Sequence, residues 1–252
     1  MVRPALAVLL ISVLFTACST NNVTVDNSLQ KYFDSAGVKG TFGLYDNGQG
    51  HFTIYNLARF RDSAYPPGAT FDVLQALIAV QTGVAANENS PLFQPDSAET
   101  GAGSIRLAAA IGKDSLKKWV DSLRYGNKDI SEYTDSAHPS GHLAITADEQ
   151  LGLTKRLYFD QLPFFQRTQK LVRQMFLKEE NSNYRLVYKT GKTTQSNGKV
   201  TVWIIGWEEE NKHPYFFVLN MEPANAQTNV STLGLQLVKN ILGPMGFFAG
   251  KK

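Results

Sequence analysis

Cysteine is almost missing from this chain of 252 residues: Cys18 stands alone. No internal disulfide can form, so the fold has to be held by its core. Histidine is scarce too, with four residues, and His138, His142 and His213 lack metal-ligand spacing. His138 and His142 fall in a Pro/Gly loop rather than on one helix face, so neither a metal nor any other cofactor is expected. A net charge of +3 is spread along the chain, and no basic stripe alternates with aromatics, which argues against nucleic acid as a partner. Internal repeats are absent. What remains is a hydrophobic content of 43% with 19% charged residues, the balance of a folded globular protein with one large domain or two small ones.

The opening MVRPALAVLLISVLFTAC has one arginine, an apolar run from Ala5 to Phe15 and small residues before Cys18. It reads as a secretory signal, too short to span a bilayer. Phe15-Thr16-Ala17-Cys18 resembles a bacterial lipobox, in which cleavage leaves the cysteine at the new terminus to be acylated; the alternative is ordinary cleavage near Ala17. A lone thiol in an oxidising compartment is a liability, which favours lipidation, and several acyl chains on Cys18 give firm membrane anchoring. Ser19 after the cysteine points to the outer membrane of the cell envelope, with the protein facing the periplasm. Residues 1–17 are thus expected to be a signal peptide, 18–27 a polar tether and 28–252 a single domain.

Within that domain, Ser28 to Ala36 reads as a helix, and residues 40–57 alternate apolar and polar on either side of Asp46-Asn47-Gly48, a hairpin signal. The stretch PGATFDVLQALIAVQTGV, 67–84, turns at Pro67-Gly68 and then carries apolar residues on most sides, the pattern of a core helix, with Thr70 placed to cap it. Its first turn, with unpaired N–H groups, suits a developing negative charge. Helical spacing continues at 115–123. Thr146 to Glu149 forms a capping box for a helix reaching about Phe159, and Pro163 starts another helix toward Lys178. Strands return as YRLVYKTG, VTVWIIGW and YFFVLNM, and a last helix spans about Val230 to Leu242. Trp203 and Trp207 should share one strand face under a helix, while Glu208-Glu209-Glu210 reads as a solvated turn. The expected fold is α/β (α+β): an antiparallel sheet flanked by terminal helices (28–66 and 183–252) beside a mostly helical lobe (67–182), with a cleft between the lobes.

The order of these segments resembles the penicillin-recognising serine enzymes, and most closely the class D β-lactamases. The resemblance rests on FTIYNLARFRDSAYPPGATFDVLQALIAVQTGV from residue 52, YGN at 125–127, DEQLGL at 148–153, YKTG at 188–191 and IIGWEEENKHPYFFVLNME at 204–222. It implies a β-lactamase/transpeptidase-like fold and an ancestor that acylated a serine with a β-lactam or a peptidoglycan stem peptide. In that family the active helix begins Ser-x-x-Lys, the serine attacking the amide carbonyl and the lysine taking its proton. Here Ala69 occupies the serine position and Asp72 the lysine position. Thr70 points about 100° away from residue 69 on a helix, which disfavours it as a substitute nucleophile.

The resemblance further implies a site strand at Lys189-Thr190-Gly191, with the lysine supplying positive potential and the threonine binding the substrate carboxylate. It also implies an oxyanion hole from the backbone N–H groups of Ala69 and Lys192. Glu99-Thr100-Gly101 lies nearest the family's second wall motif, and Ser104 is the only alternative. Gly234 stands nearest the arginine that many class D enzymes use for the ligand carboxylate; no arginine follows Arg185. Tyr125-Gly126-Asn127 is family-like and equally a helix stop. The expected function is that of a noncatalytic pseudoenzyme holding a cell-wall peptide, a β-lactam or a protein partner. The alternative is a shifted-site hydrolase working through Thr70 or a water activated by Asp72.

Overall fold

The computed structural model describes residues 22–87, 89–93, 102–131, 142–195, 198–224 and 229–252, with the backbone alone at 102–105. The signal segment, Cys18, Glu99-Thr100-Gly101, the Ser104 side chain and His138 lie outside that description.

The chain runs through β1 (Val23–Val25), α1 (Gln30–Ala36), β2 (Val38–Asp46), β3 (His51–Tyr55), α2 (Leu57–Asp62), β4 (Ala64–Tyr65) and α3 (Asp72–Gln81). It continues with α4 (Ala102–Ile111), α5 (Lys113–Leu123), β5 (Ile145–Thr146), α6 (Ala147–Tyr158) and α7 (Gln166–Gln174). It ends with β6 (Leu177–Glu180), β7 (Arg185–Thr194), β8 (Val200–Glu210), β9 (His213–Pro223) and α8 (Val230–Leu242). Seven strands form one sheet in the order β1-β3-β2-β9-β8-β7-β6, and β4 pairs with β5. Every neighbour in the large sheet is antiparallel except β1, which runs parallel to β3.

Alternation along the central strands builds a core on each face. Phe42, Val202, Ile204, Phe217 and Leu219 face α1 and α8, where they meet Leu29, Phe33, Val238 and Ile241. On the opposite face Trp203, Ile205, Trp207, Phe216 and Val218 meet α3 and α6 through Leu74, Leu77, Ile78 and Leu151. The two tryptophans therefore share a face, as the strand period requires. Thr146 and Glu149 make the reciprocal capping box: the Thr146 hydroxyl accepts from the Glu149 amide, and the Glu149 carboxylate accepts from the Thr146 amide.

Four expectations need correction. Val23–Val25 lies inside the stretch read as a tether, yet it adds a strand to the sheet edge beside β3. The helix expected from Pro163 to Lys178 is shorter, and Leu177–Glu180 forms an edge strand on β7. Thr70 does not cap α3 with its hydroxyl; a short 3-10 turn, Gly68–Phe71, leads into the helix instead. Finally, Glu208 and Glu210 are buried, 0% and 1% exposed, because the tight turn of the β8–β9 hairpin comes later, at Asn211 and Lys212.

Burial above all, and then the neighbouring Glu210 charge, pushes the Glu208 carboxyl up to about 9. Burial works the same way on Glu210, but amide donors from Lys252, Phe248 and Lys251 outweigh it and hold that carboxyl below its ordinary value. The pair thus divides its labour, a neutral acid beside a carboxylate that fastens the C-terminal residues to the sheet.

Candidate functional site

The mouth of α3 is set by its approach. The Trp203 indole N–H donates to the Pro66 carbonyl at 2.8 Å, which ties the turn to the middle of β8. Gly68 then adopts φ +54°, and a Cβ there would meet the Lys192 carbonyl oxygen at 2.6 Å. Gly191 is pressed just as closely from the other side: a Cβ on it would lie 2.8 Å from the Thr70 amide nitrogen and 3.0 Å from the Pro67 carbonyl oxygen. Glycine at both positions lets β7 and the 3-10 turn touch backbone to backbone.

Ala69 is half-buried in that turn and offers only a methyl group. Asp72, the first residue of α3, faces Lys189 of β7, with carboxylate oxygen and ammonium nitrogen 3.4 Å apart. Both side chains keep contact with solvent, 25% exposed for Asp72 and 29% for Lys189. The structure therefore brings two of the positions singled out from the sequence, 72 and 189, into contact, with 69 in the turn that leads into 72.

Thr70 is no part of that contact. It is completely buried, donates its hydroxyl to the Pro67 carbonyl at 2.7 Å and accepts from the Gln150 side-chain amide, also at 2.7 Å. A hydroxyl with its proton committed and no access to solvent neither attacks nor binds a ligand, so its side chain is removed from the expected site set. Gln150, which no local pattern marks, is the brace that holds it. Tyr125 is buried against the Phe71 ring, with ring centroids 5.3 Å apart. Burial chiefly, together with the charges of Glu149 and Asp72, raises the Tyr125 phenol far above its ordinary range, so it stays protonated. Asn127 pins the neighbouring segment: its side-chain amide donates to the His142 carbonyl, and its oxygen accepts from the Ala144 amide. The Tyr125-Gly126-Asn127 turn is thus a structural support under the α3 mouth.

Thr190 takes a different face from Lys189. Its cross-strand partner is Ile204, which belongs to the core under α1 and α8, whereas Lys189 opposes Ile205 on the α3 side. Gly234 of α8 packs over Ile204, 3.0 Å from its Cγ1 to a Cβ built on the glycine. Thr190, Ile204 and Gly234 accordingly form one neighbourhood on the terminal-helix side, with no arginine from α8 in it. Lys192 is half-exposed and, opposite Val202, takes the same face as Thr190. Beside it, β6 pairs only with Arg185–Tyr188, so residues 189–194 have no strand neighbour on their outer edge among the described residues.

The penicillin binding protein transpeptidase domain matches residues 96–243. β-Lactamase OXA-20 of Pseudomonas aeruginosa is 31% identical over 217 residues, which cover 77% of this chain and 79% of that protein. The chain belongs to the penicillin-binding transpeptidase family. Its α/β fold is that of the class D β-lactamases: the class D enzyme YbXI from Nostoc superposes with a TM-score of 0.76 at 28% identity, over 88% of this chain and 99% of the other. The C-terminal domain of the Bacillus licheniformis BlaR penicillin-receptor shares the fold as well, with a TM-score of 0.78 at 24% identity over 90% of this chain and 98% of that domain. Enzymes and a receptor are therefore built on the scaffold that here carries Ala69, Asp72 and Lys189.

Among the described residues no group of three or more His, Cys, Asp or Glu side chains has metal-binding geometry. No described helix is long and apolar enough to cross a membrane.

Proposed function

We propose that this protein is a noncatalytic binding lipoprotein of the bacterial cell envelope, whose cleft holds a peptidoglycan stem peptide or a β-lactam without attacking it covalently. One observation carries the reading: among the described residues the mouth of α3 carries a methyl group, Ala69, and an ion pair, Asp72–Lys189, while the adjacent Thr70 hydroxyl is buried and doubly hydrogen-bonded. Covalent amide cleavage by this family's chemistry needs a hydroxyl with a base in hydrogen-bond reach. Losing one member of such a unit costs nearly as much rate as losing all of it, and here two positions depart from the pattern. A water activated by Asp72 is disfavoured because the Lys189 ammonium already occupies the carboxylate.

Binding needs less. The outer edge of β7 beyond Tyr188, which pairs with no described strand, suits an extended peptide that adds as a further strand, main chain to main chain, and backbone donors survive changes of side chain. A receptor such as that of Bacillus licheniformis supplies a precedent for binding within this fold. The domain, whose sheet begins with Val23–Val25, would stand off the outer membrane on a lipid at Cys18, facing the periplasm, where a protein partner could also reach it.

Two experiments test the reading. The purified protein should leave a chromogenic cephalosporin intact while a stem peptide raises its melting temperature; turnover that disappears in Asp72→Asn would overturn it. For the anchor, radiolabelled palmitate should enter the wild-type protein and not Cys18→Ala, whereas equal labelling would refute lipidation at that residue.

A further inference from the structure

The fold begins close to the residue proposed to carry the lipid. Only Ser19, Thr20 and Asn21 separate Cys18 from Asn22, whose carbonyl already accepts from the Phe52 amide at 2.7 Å. Those few residues span at most about 14 Å even when fully extended, so a lipid on Cys18 holds Asn22 within that distance of the bilayer surface. Whatever surrounds Asn22 lies nearest the headgroups.

One end of the sheet gathers there. β1 starts at this end, with Val23 opposite Phe52. Asp46 opposite Tyr215 and Glu210 opposite His213 bring the β2–β3 and β8–β9 turns to the same end. Contacts run across it: the Asn22 side-chain amide donates to the Gly50 carbonyl, Gly48 abuts the His213 ring, and the Asn211 side-chain amide donates to the carbonyls of Gly250 and Lys252. Charge on this end is lopsided. Lys212, Lys251 and Lys252 are exposed, and His213 with them. The nearby carboxylates are engaged: Asp46 accepts from the amides of Gly48 and Gln49, Glu210 is buried and accepts from those of Phe248, Lys251 and Lys252, and Glu180 and Glu209 flank Arg185.

We propose that this end of the sheet is a membrane-docking surface, with Lys212, Lys251 and Lys252 set against the phosphates of anionic lipid. The tether brings the end to the bilayer, and the lysines fix which way the domain then faces. Lys189 opposes Ile205, which precedes Glu210 in β8, and that length of strand holds the Asp72–Lys189 pair roughly 17 Å above the headgroups, on the periplasmic side. The inference deepens the lipoprotein reading and rests on the anchor at Cys18.

The test separates the surface from the anchor. The mature chain carrying Cys18→Ala, which has no site for the lipid, is sedimented at low salt with vesicles of phosphatidylcholine alone and with vesicles containing about one third phosphatidylglycerol. It should partition onto the anionic vesicles only and leave them near about 0.5 M salt. Lys212→Gln, Lys251→Gln and Lys252→Gln keep every backbone hydrogen bond of this end. A basic side chain at such a surface is worth about fivefold, so the triple variant should bind at least about tenfold more weakly. Three exposed lysines of the helical lobe, changed together as Lys113→Gln, Lys118→Gln and Lys170→Gln, should alter binding by less than about twofold. Sedimentation no greater with anionic than with neutral vesicles overturns the proposal, as does a lobe variant as weak as the end variant. In the lipidated wild type on nanodiscs of the anionic mixture, amide exchange should slow at residues 47–50 and 211–213 while 189–192 keep their solution rates; the converse pattern also overturns it. Failure of the anchor shows separately, as palmitate that labels Cys18→Ala as strongly as the wild type.

Discussion

Asp72 and Lys189, 117 residues apart in the chain, meet at 3.4 Å across the opening between α3 and β7. The pair ties the helical lobe to the sheet, but it is partly solvated on both sides, and such pairs are worth between nothing and about 1 kcal/mol because water and salt screen them. A double-mutant cycle of Asp72→Ala and Lys189→Ala, read by chemical denaturation, should give a coupling below about 1 kcal/mol that vanishes near 1 M salt. A coupling several times larger would mean the opening is drier than the geometry shows.

The Thr70 hydroxyl makes a different kind of contribution. It is fully buried and satisfies both the Pro67 carbonyl and the Gln150 amide. Thr70→Val keeps the shape but strands the Gln150 amide, while the Pro67 carbonyl keeps the backbone amide of residue 70 as a donor, so it should lower stability by about 1–3 kcal/mol, with Thr70→Ser closer to wild type. Thermal or urea melts measure this directly.

Gly68 holds φ +54° with the Lys192 carbonyl where a side chain would go. Gly68→Ala pays for a left-handed backbone and then collides with main-chain atoms that cannot rotate away, so the loss should exceed about 2 kcal/mol. Because the collision involves β7, amide exchange at residues 190–194 should accelerate more than exchange in β9, where no contact changes.

Glu208 provides a pH test. Its folded-state value lies near 9, well above that of an unfolded glutamate, because burial and Glu210 favour the neutral acid. Between the unfolded and folded values the native state binds the extra proton, so stability is full in acid and falls as pH rises through that window, levelling off near 9. Glu208→Gln, neutral at every pH, should flatten the fall and be more stable than wild type at pH 8 by about 1 kcal/mol or more. Melting temperatures of both proteins from pH 5 to about 9 decide the point; parallel curves would mean that Glu208 ionises freely in the folded state.

Much of this arrangement was legible in the residues themselves, for local reasons. α3 is apolar on most sides, the Thr146/Glu149 box announces its own helix, and the alternation in β8 and β9 forces Trp203 and Trp207 onto one face. The misses share a cause. Leu177–Glu180, with one apolar residue in four, and Val23–Val25, in a polar stretch, become strands only because a neighbouring edge accepts them. Glu208 and Glu210 look like a solvated turn until the C-terminal segment folds over them. At the site, Ala69 and Asp72 could be read from the sequence as departures from the Ser-x-x-Lys pattern that the resemblance implies. The ion pair to Lys189 and the Gln150 brace on Thr70, 80 positions away, are tertiary facts that no local pattern encodes.

The site is proposed to bind its ligand without forming a covalent bond. Intact-protein mass spectrometry after incubation with a penicillin tests it most directly: the predicted spectrum shows the unmodified mass alone, and a stable increment equal to the antibiotic on the folded protein would contradict it.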